Sequence, residues 1–176
     1  MGVQVLNGKN VILFFREASK KATEDAAKLR FQTEHSISKS KETNAVTTKD
    51  GIINSITNGE NTADISSIAY VDDKETITTW ETLEDMYDRE VLVEMWQVDI
   101  TNATAENLDV KPTYFQGYFT SFEMSAPSDG QVELTYSYAI NGNGVKGEDV
   151  LTTAQLNSVI NSVYEYETLK ANGEKV

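Results

Sequence analysis

The stretch from Tyr114 to Gly147, YFQGYFTSFEMSAPSDGQVELTYSYAINGNGVKG, carries the clearest fold signal in the sequence. It predicts two long β-strands joined by a Pro-Ser-Asp-Gly turn at residues 127–130. The second strand alternates apolar and polar side chains, and its apolar members are Val132, Leu134, Tyr136, Tyr138 and Ile140. Because successive side chains of a strand point to opposite faces, this strand has one apolar and one polar face. The stretch therefore predicts one wall of an antiparallel β-sandwich or barrel.

The other segments complete a mainly β prediction. Strands are predicted at residues 10–16, 62–71 and 90–100. A further strand at residues 29–37 places Leu29, Phe31, Thr33, His35 and Ile37 on one face. The segment Ala18–Lys28 is polar and Ala-rich, which is consistent with a loose arm or a short helix. A chain of 176 residues is long enough for one domain with a substantial core, so residues 1–176 are treated as a single domain.

One helix is predicted to flank this sheet, from Ile77 to about Arg89. Its apolar residues fall within one half of the helical wheel: Ile77, Trp80, Leu83, Met86 and Tyr87. Thr78 and Glu81 have the spacing of a capping box, with Thr76 as an alternative cap.

The last part of the chain, residues 145–176, is predicted to be a C-terminal arm with a short helix. The glycine-rich run Asn141–Gly147 predicts a flexible joint before it. Thr152 and Gln155 fit a capping box, and Leu151 and Leu156 fit a hydrophobic staple. The helical spacing runs on through Val159, Ile160 and Val163. Residues 164–169, YEYETL, suit either a helix end or a strand.

Residues 38–61, SKSKETNAVTTKDGIINSITNGEN, predict an extended hairpin with a turn at Lys49, Asp50 and Gly51. One interpretation is a solvent-exposed hairpin with a mobile tip. The other is a hairpin that becomes ordered when a neighbouring subunit covers it. Its Thr, Val and Ile residues suit a strand added to a partner's sheet.

Charge is the second strong feature of the composition. The formal net charge is −13, and residues 51–176 carry six Lys or Arg against twenty-two Asp or Glu. Nucleic-acid binding depends on neutralising phosphates with Lys and Arg, so such a surface repels DNA. The composition indicates a protein that does not grip DNA but could let it slide past.

The sequence contains no cysteine, which excludes disulfides, thiolate metal ligands and cysteine nucleophiles. The N-terminus lacks a signal-peptide pattern, and the longest apolar run, Val11–Phe15, is far shorter than the roughly 20 residues that span a bilayer. We therefore expect assembly inside a cell and no membrane contact.

No set of residues suggests catalysis or a cofactor. His35 is the only imidazole, which excludes a multi-histidine zinc site. A histidine-based triad would need His35 as its base, but alternation places this residue on the apolar-leaning face of its strand, so a packed or interface histidine is expected. The carboxylate pairs Asp72-Asp73 and Glu84-Asp85 are adjacent in sequence, so their side chains point in different directions. We predict no catalytic residue, no metal site and no cofactor.

Several blocks of the sequence resemble the major tail protein family of phages with long, non-contractile tails, particularly those of lactococci and related Gram-positive hosts. The blocks are GKNVILFFR, DAAKLRFQTEHSIS, TKDG, GYFTSFEMSAP, VELTYSY with AINGNG, and DVLTTAQL, in the family's order. They cover most of the chain, and the ordered set is more specific than any one block.

The resemblance implies a structural virion protein, assembled in the host cytoplasm and found in the tail. It implies a sandwich of two antiparallel sheets with a flanking helix, hexameric rings that stack into a tube around a tape measure protein, and a channel for DNA ejection. Tail terminator and distal tail proteins would be further partners. On this basis, Glu123 and Glu133 on the polar face are candidates for the lumen. Lys49, Asp50 and Gly51 are candidates for the contact between stacked rings, together with Ala18–Lys28 and the C-terminal segment as further arms.

The main alternative is a monomeric β-sandwich that binds carbohydrate. The aromatic side chains available for such a site are Tyr114, Phe115, Tyr118, Phe119 and Phe122. Their position on one long strand instead favours a contact with the core or with another subunit.

Overall fold

The computed structural model describes residues 2–160 and residue 169. Within these residues the strands are β1 Val11–Glu17, β2 Ala27–Lys28, β3 Gln32–Ser38, β4 Lys41–Thr48, β5 Gly51–Asn58, β6 Asn61–Ile68, β7 Val93–Asp99, β8 Asp109–Val110, β9 Thr113–Ser125, β10 Glu133–Lys146 and β11 Asp149–Val150. The helices are α1 Thr79–Asp88 and α2 Thr153–Ile160.

Seven strands form one antiparallel sheet in the order β2-β1-β7-β9-β10-β6-β3. β9 and β10 are by far its longest strands, and they pair with each other along most of their length. β4 pairs only with β5, and β8 only with β11, as two separate two-stranded sheets. The mainly β class and the long hairpin predicted from the sequence are confirmed.

The main core lies inside the curl of this sheet, with α1 packed against it. β10 contributes Leu134, Tyr136, Tyr138 and Ile140, as its alternation predicted, and all four are buried. The ring of Phe119 on β9 lies 5.4 Å from Tyr138, 5.9 Å from Tyr136 and 5.7 Å from Phe15 on β1. Aromatic contacts at these distances add to the burial of apolar surface. Strands from both halves of the sheet therefore share one core.

A second, smaller core covers the opposite face of β1 and β7. It is built from Ile12, Phe14, Val98, Val110, Leu151 and Leu156. At the start of α2 the predicted capping box is confirmed. The Gln155 Oε1 atom accepts from the Thr152 N–H at 2.9 Å, and the Gln155 N–H donates to Thr152 Oγ1 at 3.1 Å. Leu151 and Leu156 are both buried, as a staple requires. The predicted continuation to Val163, and the alternatives for residues 164–168, lie outside the described residues.

The capping box of α1 is also confirmed. The Glu81 carboxylate accepts from both the N–H and the hydroxyl of Thr78, each at 2.8 Å, so Thr78 and not Thr76 is the cap. The predicted helix started too early, because Ile77 precedes the cap. Its side chain is 64% exposed instead of packed in the core.

Three local predictions were wrong, in whole or in part. The strand predicted at 29–37 begins only at Gln32, because Phe31 adopts a left-handed backbone conformation with φ 55°. Of the two alternatives for Ala18–Lys28, the loose arm is wrong and the short helix is confirmed in part, because Ala18–Lys20 form one turn of 3₁₀ helix. The segment ends in β2, which pairs with β1, and the Gln155 side chain donates to the Ala26 carbonyl oxygen.

The third error is the flexible joint at residues 141–147. β10 runs through this glycine-rich stretch as far as Lys146, with a register shift between Asn141 and Val145. Gly144 has φ 79°, and a Cβ there would lie 2.5 Å from Cε1 of Phe115. The glycine allows the strand to bulge over the buried ring and then resume pairing.

An ion pair fixes the end of α1 to the sheet. The Arg89 guanidinium, just after α1, donates to both carboxylate oxygens of Glu17 at 3.1 and 2.8 Å. These bonds, with one from the Ser19 hydroxyl, lower the pKa of Glu17 to about 2. Glu17 is nearly buried, whereas the Arg89 side chain is 42% exposed.

Glu17→Gln is expected to lower the free energy of unfolding by about 1–2 kcal/mol at neutral pH. The folded-state pKa lies below the usual 4.5, so Glu17 contributes stability above that pH and loses it as the pH falls toward 2. Denaturant unfolding of both proteins should therefore show a difference that is full at pH 7 and shrinks below pH 4.5. Glu106→Gln, an exposed carboxylate, is the control, and a difference that stays constant down to pH 2 would contradict the assignment.

Candidate assembly surfaces

The most exposed element is the two-stranded hairpin of β4 and β5, residues 41–58, called the arm below. Thr48 is half-buried, and every other residue of the two strands is exposed. Its strands pair in full register from Lys41 with Asn58 to Thr48 with Gly51. Lys49 and Asp50 form the turn, where the Thr48 hydroxyl donates to the Gly51 carbonyl oxygen at 2.8 Å. The predicted residues Lys49, Asp50 and Gly51 thus lie at the tip of the arm.

The outer half of the arm is apolar on both faces. Val46 and Ile53 are cross-strand partners on one face, and Ile52 lies opposite Thr47 on the other. The three apolar side chains are 59–67% exposed. Monomeric proteins seldom expose β-branched residues in this concentration without a partner. The arm has two basic and two acidic residues, so it is neutral on an acidic chain.

The base of the arm is held by Asn61, a residue that the sequence reasoning did not single out. Its amide nitrogen donates to the Gly142 carbonyl oxygen at 2.6 Å and to Asn143 Oδ1 at 3.0 Å. Its Oδ1 accepts from the Ser40 N–H at 3.0 Å. Asn61 is 4% exposed, so one buried side chain joins both strands at the arm base to β10. These contacts fix the direction in which the arm leaves the sheet.

Asn61→Ala is expected to leave the Ser40 N–H and the Gly142 carbonyl without partners, at a cost of about 1–3 kcal/mol. The Ser40 and Gly59 amides should then exchange faster with deuterium, because the arm base opens more often. Hydrogen exchange followed by NMR measures this. Asn54→Ala, exposed within the arm, is the matched control, and unchanged exchange at Ser40 would contradict the role of Asn61.

The outward face of β9, β10, β6 and β3 is polar and acidic. The register places Glu123 opposite Thr135, and Glu133 lies two residues before Thr135, so Glu123 and Glu133 share this face. Asp64 lies opposite both Ser137 and Ser36, and Glu34 lies opposite Ser66. The outward-facing residues of these four strands include no Lys or Arg in the stretches that pair, 34–38, 62–68, 118–125 and 133–139. Asp64 was missed by the sequence reasoning because its short polar strand gives no apolar stripe.

The same four strands have free edges on both sides. β3 is the last strand of the sheet and pairs only with β6. β7 pairs with β9 only at residues 113–117. The half of β9 from Tyr118 to Ser125 therefore has no strand partner opposite β10 within the described part of the chain. Unpaired edges of this kind are templates for pairing with another chain.

The histidine and the aromatic residues have structural positions. His35 is half-buried, its Nε2 atom lies 3.0 Å from Gln97 Nε2, and burial lowers its pKa. Phe115 and Phe119 lie in the main core. Tyr114 contacts Trp96 on the other face of the sheet, and Tyr118 is exposed on the acidic face. The aromatic residues of β9 therefore point in different directions and do not form one cleft.

Residues 2–160 contain no helix with the length and apolar character needed to cross a membrane. They also hold no group of three or more His, Cys, Asp or Glu side chains placed to bind a metal ion.

A curled antiparallel sheet with free edges and a protruding hairpin is typical of a structural subunit. The family model for phage tail tube proteins matches residues 5–146, most of the chain. A protein of Staphylococcus phage phiMR25 that is assigned to the tail is 31% identical over 170 residues, covering 94% of this chain and 84% of that protein. The chain belongs to the phage tail tube protein family. This confirms the resemblance to siphophage major tail proteins seen in the sequence.

Solved structures show the same fold. The tail tube protein of SPP1, from a hybrid solid-state NMR and cryo-EM study, superposes with a TM-score of 0.74 at 18% identity, over 97% of this chain and 96% of that one. The tail of a gene transfer agent particle, refined with C6 helical symmetry, gives a TM-score of 0.58 at 13% identity, over 81% of this chain and 99% of that one. At these identities the likeness concerns the fold.

Proposed function

We propose that this protein forms hexameric rings that stack into the tube of a long, non-contractile phage tail. The tube would surround a tape measure protein and later serve as the channel for DNA ejection. The observation that carries the proposal is the four-stranded acidic face, which is bounded by an unpaired strand edge on each side. Such a unit is not complete as a monomer, because its backbone hydrogen bonds can continue into a neighbour.

Ring formation uses these two edges. The free edge of β3 in one copy pairs with the Tyr118–Ser125 half of β9 in the next, so the four-stranded units join into one continuous barrel. Because the two edges differ, the contact is heterologous, and repeating it around an axis closes a ring. The C6 symmetry of the gene transfer agent tail supports six copies per ring.

The acidic face lines the lumen in this arrangement. Glu123 and Glu133 lie there with Glu34 and Asp64, and the paired stretches 34–38, 62–68, 118–125 and 133–139 of the described chain contain no Lys or Arg that would offset them. A channel of one sign of charge repels a moving polyanion along its whole length and prevents adhesion. DNA would pass without being bound.

Cysteines introduced at lumen positions should become protected when tubes form. Because the native chain has no cysteine, Glu123→Cys and Glu133→Cys each supply a single reactive thiol. In assembled tubes both are expected to react with a small maleimide but not with a bulky polymer-linked maleimide, whereas the control Glu106→Cys reacts with both. Reaction of both thiols with the bulky reagent in intact tubes would place this face outside and reject the lumen assignment.

Stacking of rings uses the arm. Its apolar outer half and its tip residues Lys49, Asp50 and Gly51 project from the body, where a neighbouring ring can cover them. A neutral arm also avoids the repulsion that two acidic surfaces would meet on contact. Ala18–Lys28 and the described part of the C-terminal segment, up to residue 160, are folded against the body, so neither is retained as a candidate for this contact.

Deleting residues 42–58 is expected to leave a folded subunit and abolish tubes. The arm contributes nothing to either core, so circular dichroism and the thermal midpoint should change little. Negative-stain electron microscopy over a wide range of protein concentrations compares the deletion with the intact chain. Tubes of normal length from the deletion would reject the role of the arm, and monomers of the intact chain at the highest concentrations would weigh against the whole proposal.

The remaining roles are those of a structural protein of the virion tail, assembled in the host cytoplasm. Tail terminator and distal tail proteins would contact the two ends of the tube, and no enzymatic activity is proposed. The alternative, a carbohydrate-binding monomer, loses its main support because the aromatic side chains of β9 face different sides of the sheet.

A further inference from the structure

The segment between β6 and α1, residues 69–78, is a largely exposed loop that is hydrogen-bonded to the first turn of α1; we call it the entry loop. Its two ends contact each other. The Trp80 indole Nε1 donates to the Tyr70 carbonyl oxygen at 2.9 Å, and the Thr79 N–H donates to the Tyr70 hydroxyl at 3.3 Å. These two hydrogen bonds therefore hold the chain just after Tyr70 close to the chain just before Thr79.

Arg30 fixes the start of the loop to the body. Its guanidinium pairs with Asp72 at 2.8 Å and lies 5.1 Å from the centre of the Tyr70 ring. Val71 stands between these two anchored residues, yet its side chain is 89% exposed. Ile77, at the other end of the loop, is 64% exposed. Two apolar side chains are thus presented to solvent on a backbone that is already ordered, and covering them costs little additional ordering.

The surroundings of these two residues are acidic. Residues 69–90 carry eight Asp or Glu and only two Lys or Arg. A partner that is itself acidic would be repelled here, and the body of a second copy is such a partner. The arm differs, because it is neutral, apolar at its outer half and has Lys49 at its tip.

The entry loop and the arm lie at opposite ends of the same strand. β6 begins at Asn61, beside the arm base, and ends at Ile68, just before the loop. A contact between the arm of one copy and the entry loop of the next leaves a free arm at one end of the pair and a free loop at the other. Such a head-to-tail contact does not close on itself and continues as an open stack.

We propose that the entry loop receives the tip of the arm from a copy in the adjoining ring. Val71 and Ile77 pack against the apolar outer half of the arm, formed by Val46, Ile52 and Ile53, and Lys49 lies near the acidic side chains around the loop. This inference rests on the proposed function and names the receiving surface for the ring-stacking contact.

Cross-linking tests this pairing directly, because introduced thiols are the only ones in the protein. Purified Ile53→Cys is mixed in equal amounts with Val71→Cys and treated with a short bis-maleimide. A cross-linked heterodimer is expected, at least about tenfold more abundant than from Ile53→Cys mixed with Val145→Cys. Val145 is the control for Val71, since it is also an exposed valine, 66% against 89%, but lies at the arm end of the sheet. Equal yields from the two mixtures would overturn the proposal.

A second comparison measures assembly. Val71→Ser/Ile77→Ser removes only exposed apolar groups, so the subunit should fold with an unchanged thermal midpoint. The protein concentration needed for tubes is expected to rise at least about tenfold, whereas Val145→Ser has no effect. Unchanged assembly of the double variant would overturn the entry loop as the receiving surface and leave the tube itself standing. Absence of tubes from the intact chain would count against the proposed function, and the cross-linking yields would still decide the pairing.

Discussion

The closure of the curled sheet around Phe119 is the contact on which the rest of the structure depends. Its ring contacts Phe15 from one half of the sheet and Tyr136 and Tyr138 from the other. Burial of these rings supplies the large apolar area that a sheet needs to fold on itself. Because every inward position of β10 is used for this core, the opposite side chains of the same strands must face outward, and these are polar or acidic.

The curl also determines what cannot be buried. β3 ends and β6 begins at the edge of the core. The chain between them forms the arm, which has no further surface of its own subunit to pack on. Asn61 marks this boundary, since its side chain satisfies backbone groups of the arm base and of the β10 bulge. The arm is therefore held at its base by the fold of its own subunit, whereas its apolar outer half is exposed.

The arm and the entry loop lie at opposite ends of β6, and this arrangement connects the fold to the proposed assembly. The arm at one end, and the entry loop with its exposed Val71 and Ile77 at the other, give each subunit two different surfaces. The acidic body discourages any other approach, because most pairs of surfaces would bring like charges together. Lateral growth would depend on backbone pairing at the free edges of β3 and β9, and axial growth on side-chain contacts of the arm.

The sequence by itself determined the mainly β class, the β9–β10 hairpin, both capping boxes and the staple at Leu151 and Leu156, because each of these depends on residues close together in the chain. Only the tertiary structure decided the break at Phe31, the bulge at Gly144, the exposure of Val71 and Ile77, and the contacts of Asn61. Features of this kind depend on residues far apart in the chain. The hydrogen bond from Asn61 to Gly142, for example, joins residues 81 positions apart. A hydrogen bond or ring contact over that distance exists only after the sheet has curled, so no local pattern encodes it.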